Sequence, residues 1–189
     1  MQPKDLLWKE LYDELERLDE RAPALLLVDG GEHSYYHDRR DFAWGSHTLL
    51  AIAAARRALH ADSKTAIGGI SMGGFGALDL ARSKAFCAVG GHSPAIFRSG
   101  AETPAGAFDD AEDFAAHDVL RFAREGERFL GARLWLDVGR TDPFRATTIE
   151  LAKLSGARLN VWAGGHDTRY WRSHVAQYLR FYADALAEC

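Results

Sequence analysis

Cysteine is almost missing from this 189-residue chain: Cys87 and Cys189 are the two present. Two cysteines make no disulfide scaffold, so Cys87, set in a strand-like stretch, reads as a buried thiol, and a reducing, cytoplasmic setting is the default expectation. Long apolar runs are missing too. Ala24–Val28 and Leu49–Ala55 are the longest, and neither approaches the length of a membrane span. No signal-peptide pattern opens the chain. There is no basic block: 23 Lys and Arg stand against 27 Asp and Glu for a formal charge of -4, which leaves no electrostatic footprint for nucleic acid. His-Glu-x-x-His spacing and cysteine clusters are both lacking, so no metal and no cofactor is expected. No Gly-Lys-Ser or Gly-Lys-Thr follows the glycines, which argues against a phosphate-cradling loop. Repeats and low-complexity tracts are absent.

What is present is apolar residues, 47% of the chain, enough for a sizeable core in one domain spanning 1–189. Leu7, Leu11, Leu15 and Leu18 recur at helical spacing and predict an opening helix over about 4–21. Ala24–Val28 lacks alternation, as in a strand buried on both faces. Further strands are expected over 65–68, 85–89, 133–138 and 158–163, about five in all. Helices are expected over 46–59, 72–82, 112–123, 125–130, 144–155 and 170–186. Strands alternating with helices predict an α/β fold, a mostly parallel sheet with helices on both faces. Between 90 and 113 periodicity fails, and a structureless segment of that length is more often functional than idle.

Gly69-Ile70-Ser71-Met72-Gly73 fits the G-x-S-x-G pattern and lies between a strand and a helix. Its small residues allow a sharp turn that projects the Ser71 hydroxyl and leaves the Met72 N–H at a helix N-terminus, where an oxyanion forms. The plainer alternative is a serine capping a helix. A serine hydroxyl needs a base, and the chain order Ser, acid, His points to His166, after the last strand, and to Asp142, after the strand before it. Asp137 falls earlier, inside that strand. His92 follows the third strand and is the best rival as base or substrate contact. His33 and His37 flank Tyr35-Tyr36, either lining the cleft or as polar surface; His47 and His60 fall in or beside a helix and His117 follows a charged run, so these three read as ordinary residues.

These segments together resemble the family of esterase D and antigen 85-like α/β-hydrolases. The resemblance runs from about residue 24 onward through Asp29-Gly30-Gly31 with Ser34-Tyr35-Tyr36, the segment 69–78, Asp137–Asp142, and Gly165-His166-Asp167 with Tyr170-Trp171. It implies an α/β-hydrolase fold, and acyl transfer from Ser71 to water with a small carboxylic ester or thioester as substrate, Asp142 as acid and His166 as base. Gly30, Tyr35, Tyr36, His92 and Trp171 are the candidate substrate contacts, and Trp44, Phe97 and Trp162 further pocket aromatics, although any one of them packs more commonly into a core.

One departure stands out. The resemblance implies earlier strands and a His-Gly loop that supplies a second oxyanion N–H, and neither precedes residue 24. The expectation is a compact or N-terminally truncated domain with one open sheet edge, covered by another copy or by a further N-terminal segment. Two other functions remain open: an acyltransferase using the same acyl-enzyme, and a catalytically impaired binding domain.

Overall fold

The computed structural model describes residues 8–59, 64–126, 129 and 132–189. The expected start of the first helix, His60 and most of the expected 125–130 helix lie outside the described residues. Helix α1, Lys9–Leu18, and helix α2, Trp44–Ala58, precede strand β1, Ala66–Ile70. Then follow α3 (Met72–Leu80), β2 (Ala88–His92), α4 (Ala111–His117), α5 (Val119–Arg124), β3 (Arg133–Gly139), α6 (Arg145–Ser155), β4 (Arg158–Trp162) and α7 (Thr168–Glu188). The four strands are all parallel and lie in the order β1-β2-β3-β4. The register sets Ile70 opposite His92, His92 opposite Asp137, and Gly139 opposite Trp162. The carboxyl ends of the strands therefore share one edge.

Each face of the sheet buries its own apolar cluster. One joins Phe75 and Leu78 of α3 to Val89, Leu136 and Leu151. The other joins Leu11 and Leu18 of α1 to Trp135 and to Val175, Tyr178 and Leu179 of α7. Leu11 and Leu18 are seven residues apart, two turns of helix, which is why α1 presents one stripe to α7.

The expected strand at Ala24–Val28 is not formed. The segment belongs to no ladder, and Leu25, Leu26 and Leu27 are exposed. Apolar content makes a strand only where a neighbour offers backbone partners, and here the Val28 carbonyl bonds instead to the Tyr36 hydroxyl at 3.0 Å. The sheet thus has four strands among the described residues, not five. β1 is an edge strand, with Gly68 exposed. The helix expected over 112–123 is also two helices. The Asp118 side chain accepts from the Leu120 and Arg121 N–H groups, and its extended backbone (ψ 92°) ends α4 and starts α5.

Cys87 is not a free thiol. It forms a disulfide with Cys189, bridging a sequence separation of 102. Cys87 directly precedes β2 and α7 runs back along the sheet, so fold topology, invisible to cysteine counting, brings the last residue beside it.

Candidate active site

Ser71 occupies the single step between β1 and α3, at φ 54° and ψ -115°. A non-glycine residue in that region stores strain of about 1–3 kcal/mol unless its surroundings hold it. They do: the Ser71 N–H donates to the His92 carbonyl at 3.0 Å, and the Ser71 carbonyl accepts from Ala95 and Phe75. The motif glycines permit the crossing. A Cβ on Gly69 would lie 2.3 Å from the Gly73 carbonyl carbon, and one on Gly74 would lie 2.9 Å from the Gly69 oxygen. Tyr35, Tyr36 and Ser93 also have positive φ, so strained backbone gathers around this corner.

The base and the acid arrive on the loops after β4 and β3. His166 Nε2 lies 2.8 Å from Ser71 Oγ, and its Nδ1 lies 2.9 Å from Asp142 Oδ2. Asp142 is fully enclosed and His166 partly open at the cleft. The second Asp142 oxygen accepts from the Phe144 N–H at 2.8 Å, which fixes the carboxylate plane. The two loops are latched together. Arg140 N–H donates to the Trp162 carbonyl, and both the N–H and the hydroxyl of Thr141 donate to the Gly164 carbonyl, at 3.0 and 2.9 Å. Asp167 caps α7 by accepting from the Tyr170 N–H, so His166 is held at a defined helix entrance. Phe144 and Trp171 meet the His166 ring edge to face at 5.1 and 5.0 Å. Asp142 can thus keep one proton on Nδ1 and leave Nε2 to take the serine proton.

The remaining candidate residues occupy different positions. Tyr36 is half-buried, its ring against Gly30 and Gly76, where added Cβ atoms would lie 2.3 and 2.9 Å from ring atoms. Tyr35 is packed among Phe75, Phe97 and Phe108, and burial pushes its hydroxyl up to about 12. Trp171 is buried, with no hydrogen-bond partner for Nε1. The Gly31 N–H is already given to the Asp29 carboxylate at 2.9 Å, so it is not poised as a second oxyanion donor.

His92 has both ring nitrogens engaged inside the protein, Nδ1 at 2.5 Å from Asp137 Oδ2 and Nε2 at 2.7 Å from the Tyr182 hydroxyl. Asp137 Oδ1 receives the hydroxyls of Tyr170 and Tyr178 at 2.8 and 3.1 Å. Burial first, and then the Asp137 carboxylate, raise both phenols well above their usual value, so both remain donors. Asp137 is thereby satisfied as an acceptor. Tyr178 and Tyr182 fall four residues apart on α7, a spacing legible in the sequence, but the meeting of Tyr178 with Asp137 and of Tyr182 with His92 depends on strand register.

The fold and the linked Ser71, His166 and Asp142 define an α/β-hydrolase core with a serine triad. The family described as "Putative esterase" matches residues 45–182, and the chain belongs to it. None of the curated protein sequences matches this chain. Among solved structures, a ferulic acid esterase is similar at TM-score 0.69 and 22% identity, over 94% of this chain and 78% of that one. The fluorophosphonate-binding serine hydrolase F of Staphylococcus aureus, solved with bound substrate, is similar at TM-score 0.68 and 14% identity, over 89% and 74%. An S-formylglutathione hydrolase of Agrobacterium tumefaciens is similar at TM-score 0.64 and 20% identity, over 80% and 63%.

Proposed function

We propose that this protein is a serine esterase of the esterase D and antigen 85-like branch, cleaving a small carboxylic ester or thioester. The observation that carries the reading is the unbroken line of hydrogen bonds from Ser71 Oγ through His166 to Asp142, mounted on a strained strand-to-helix turn. Ser71 Oγ attacks the acyl carbon as His166 Nε2 takes its proton. The tetrahedral oxyanion is met by the Met72 N–H at the start of α3. His166 then protonates the leaving alcohol or thiol, and water, activated by the same nitrogen, releases the acid and frees Ser71. Gly30, Tyr36 and Trp171 are assigned to the substrate side of the cleft, since Tyr36 and Trp171 flank the nucleophile helix and the base. No helix among the described residues is long and apolar enough to cross a membrane.

The test is intact-protein mass after brief exposure to a fluorophosphonate, followed by turnover of short acyl esters and thioesters. Wild type should gain one adduct, and Ser71→Ala none. An adduct that persists in Ser71→Ala, or none in folded wild type, overturns the assignment. Adding an alcohol acceptor during turnover distinguishes hydrolysis from acyl transfer by the products released.

A further inference from the structure

Another cluster of chemically active side chains lies outside the triad. His37 follows the strained Tyr35-Tyr36 pair, and Asp113 and His117 sit one turn apart on α4, so the helix presents both on one side. His37 Nε2 lies 3.0 Å from Asp113 Oδ2, and His117 Nε2 lies 3.7 Å from Asp113 Oδ1. The two imidazole centroids are 4.5 Å apart, and one potential ligand atom from each of the three residues lies within 4.8 Å of the others. Two ligands sharing a tetrahedral zinc ion sit about 3.4 Å apart, so a cation would replace the His37–Asp113 hydrogen bond and draw the more distant ligand atoms inward.

We propose that His37, Asp113 and His117 bind a divalent transition cation of the zinc class. The donor set is two imidazoles and one carboxylate, the mixture such ions select. His37 is 1% exposed, and its Nδ1 has no partner, so its polar bonding is directed wholly at the cluster. His117 carries the outer arrangement that metal-binding imidazoles use. Its Nδ1 lies 2.7 Å from Asp79 Oδ2, and Asp79 in turn pairs with Arg82. A carboxylate behind a ligand histidine fixes the tautomer that turns Nε2 to the ion. The ligands come from the loop before α2 and from α4, and the supporting carboxylate from the end of α3. The ion would thus pin α4 to the loop before α2, beside the Phe108 ring that stacks on His37 at 4.7 Å.

Full-length protein stripped with a chelator and then exposed to Zn2+ should take up one equivalent, read by elemental analysis after gel filtration. Co2+ should give the visible bands of a four- or five-coordinate site. Asp113→Asn, which keeps the side-chain shape, and His37→Gln should each abolish uptake. Asp79→Asn should weaken it roughly 10- to 100-fold. His166→Gln should bind as wild type does, which separates this site from the triad. Failure of folded wild type to take up Zn2+ overturns the proposal, as does undiminished uptake in the His37→Gln, Asp113→Asn double variant. If the variants do not fold, the wild-type uptake and Co2+ spectrum decide alone.

Discussion

At the scale of single residues, Ser71, His166 and Asp142 act as one unit, so their substitutions should not add. Asp142→Asn keeps the volume at a fully enclosed position but removes the charge that orients His166. Acyl-enzyme formation should fall by about 10³- to 10⁴-fold, and the His166→Ala, Asp142→Asn pair should be little worse than His166→Ala alone. Single-turnover acylation rates check this, and an additive pair would show that Asp142 works independently. The triad was legible in the sequence because chain order and a turn motif both name it. His37 and His117 were not, because their burial and pairing depend on how the 29–43 loop and α4 fold against each other.

Among the elements, α1 and α7 are joined by more than apolar packing. Glu14 is 1% exposed, and it accepts from Arg180 Nε at 2.6 Å and from Arg17 at 3.2 Å. The hydrogen bond from Arg180 leads in holding the Glu14 carboxyl below its ordinary value of 4.5. A depressed carboxylate stabilises the fold above its unfolded value and loses that contribution as pH falls through the folded one. Wild type should therefore lose stability below about pH 4.5, and Glu14→Gln should lack that part of the acid slope. At pH 7 the variant should be weaker by only about 1 kcal/mol, since both arginines are solvent-exposed. Denaturant titrations at pH 7 and pH 4 measure both. Where periodicity was strong, as in α1 and α7, the elements were legible. Ala24–Val28 was misread because a strand is a property of a pair, and the run of apolar residues has no partner in the sheet.

For the molecule as a whole, the Cys87–Cys189 disulfide closes a covalent loop with a sequence separation of 102. Restricting so long a loop in the unfolded chain contributes about 2–4 kcal/mol. Reduction, or Cys189→Ser, should lower the melting temperature by roughly 5–15 °C while leaving fluorophosphonate labelling at 25 °C intact. An unchanged melting temperature under reductant would show that the bond contributes nothing. The bond also removes the reason for the cytoplasmic default, which rested on free thiols. Two sparse cysteines gave no sign of it, because only the course of α7 carries the last residue back to the start of β2.

The latch between the loops after β3 and β4 has a mechanical consequence. Arg140 and Thr141 bind the two loops to each other through Trp162 and Gly164, so acid and base travel as a single body. Ser71 is held by other contacts, from β1, α3 and the His92 carbonyl. A change confined to those contacts acts on the Ser71–His166 separation, while the His166–Asp142 distance is shielded by the latch. Thr141→Val, which removes the hydroxyl but keeps the shape, should free that shielded distance and slow acylation by on the order of tenfold. Substitutions in the β1–α3 corner should instead disturb the alignment of nucleophile and base while the imidazole stays correctly oriented. Imidazole proton resonances, measured for both kinds of variant, separate the two: the Nδ1 proton signal should shift in Thr141→Val and stay in place when only the corner is altered.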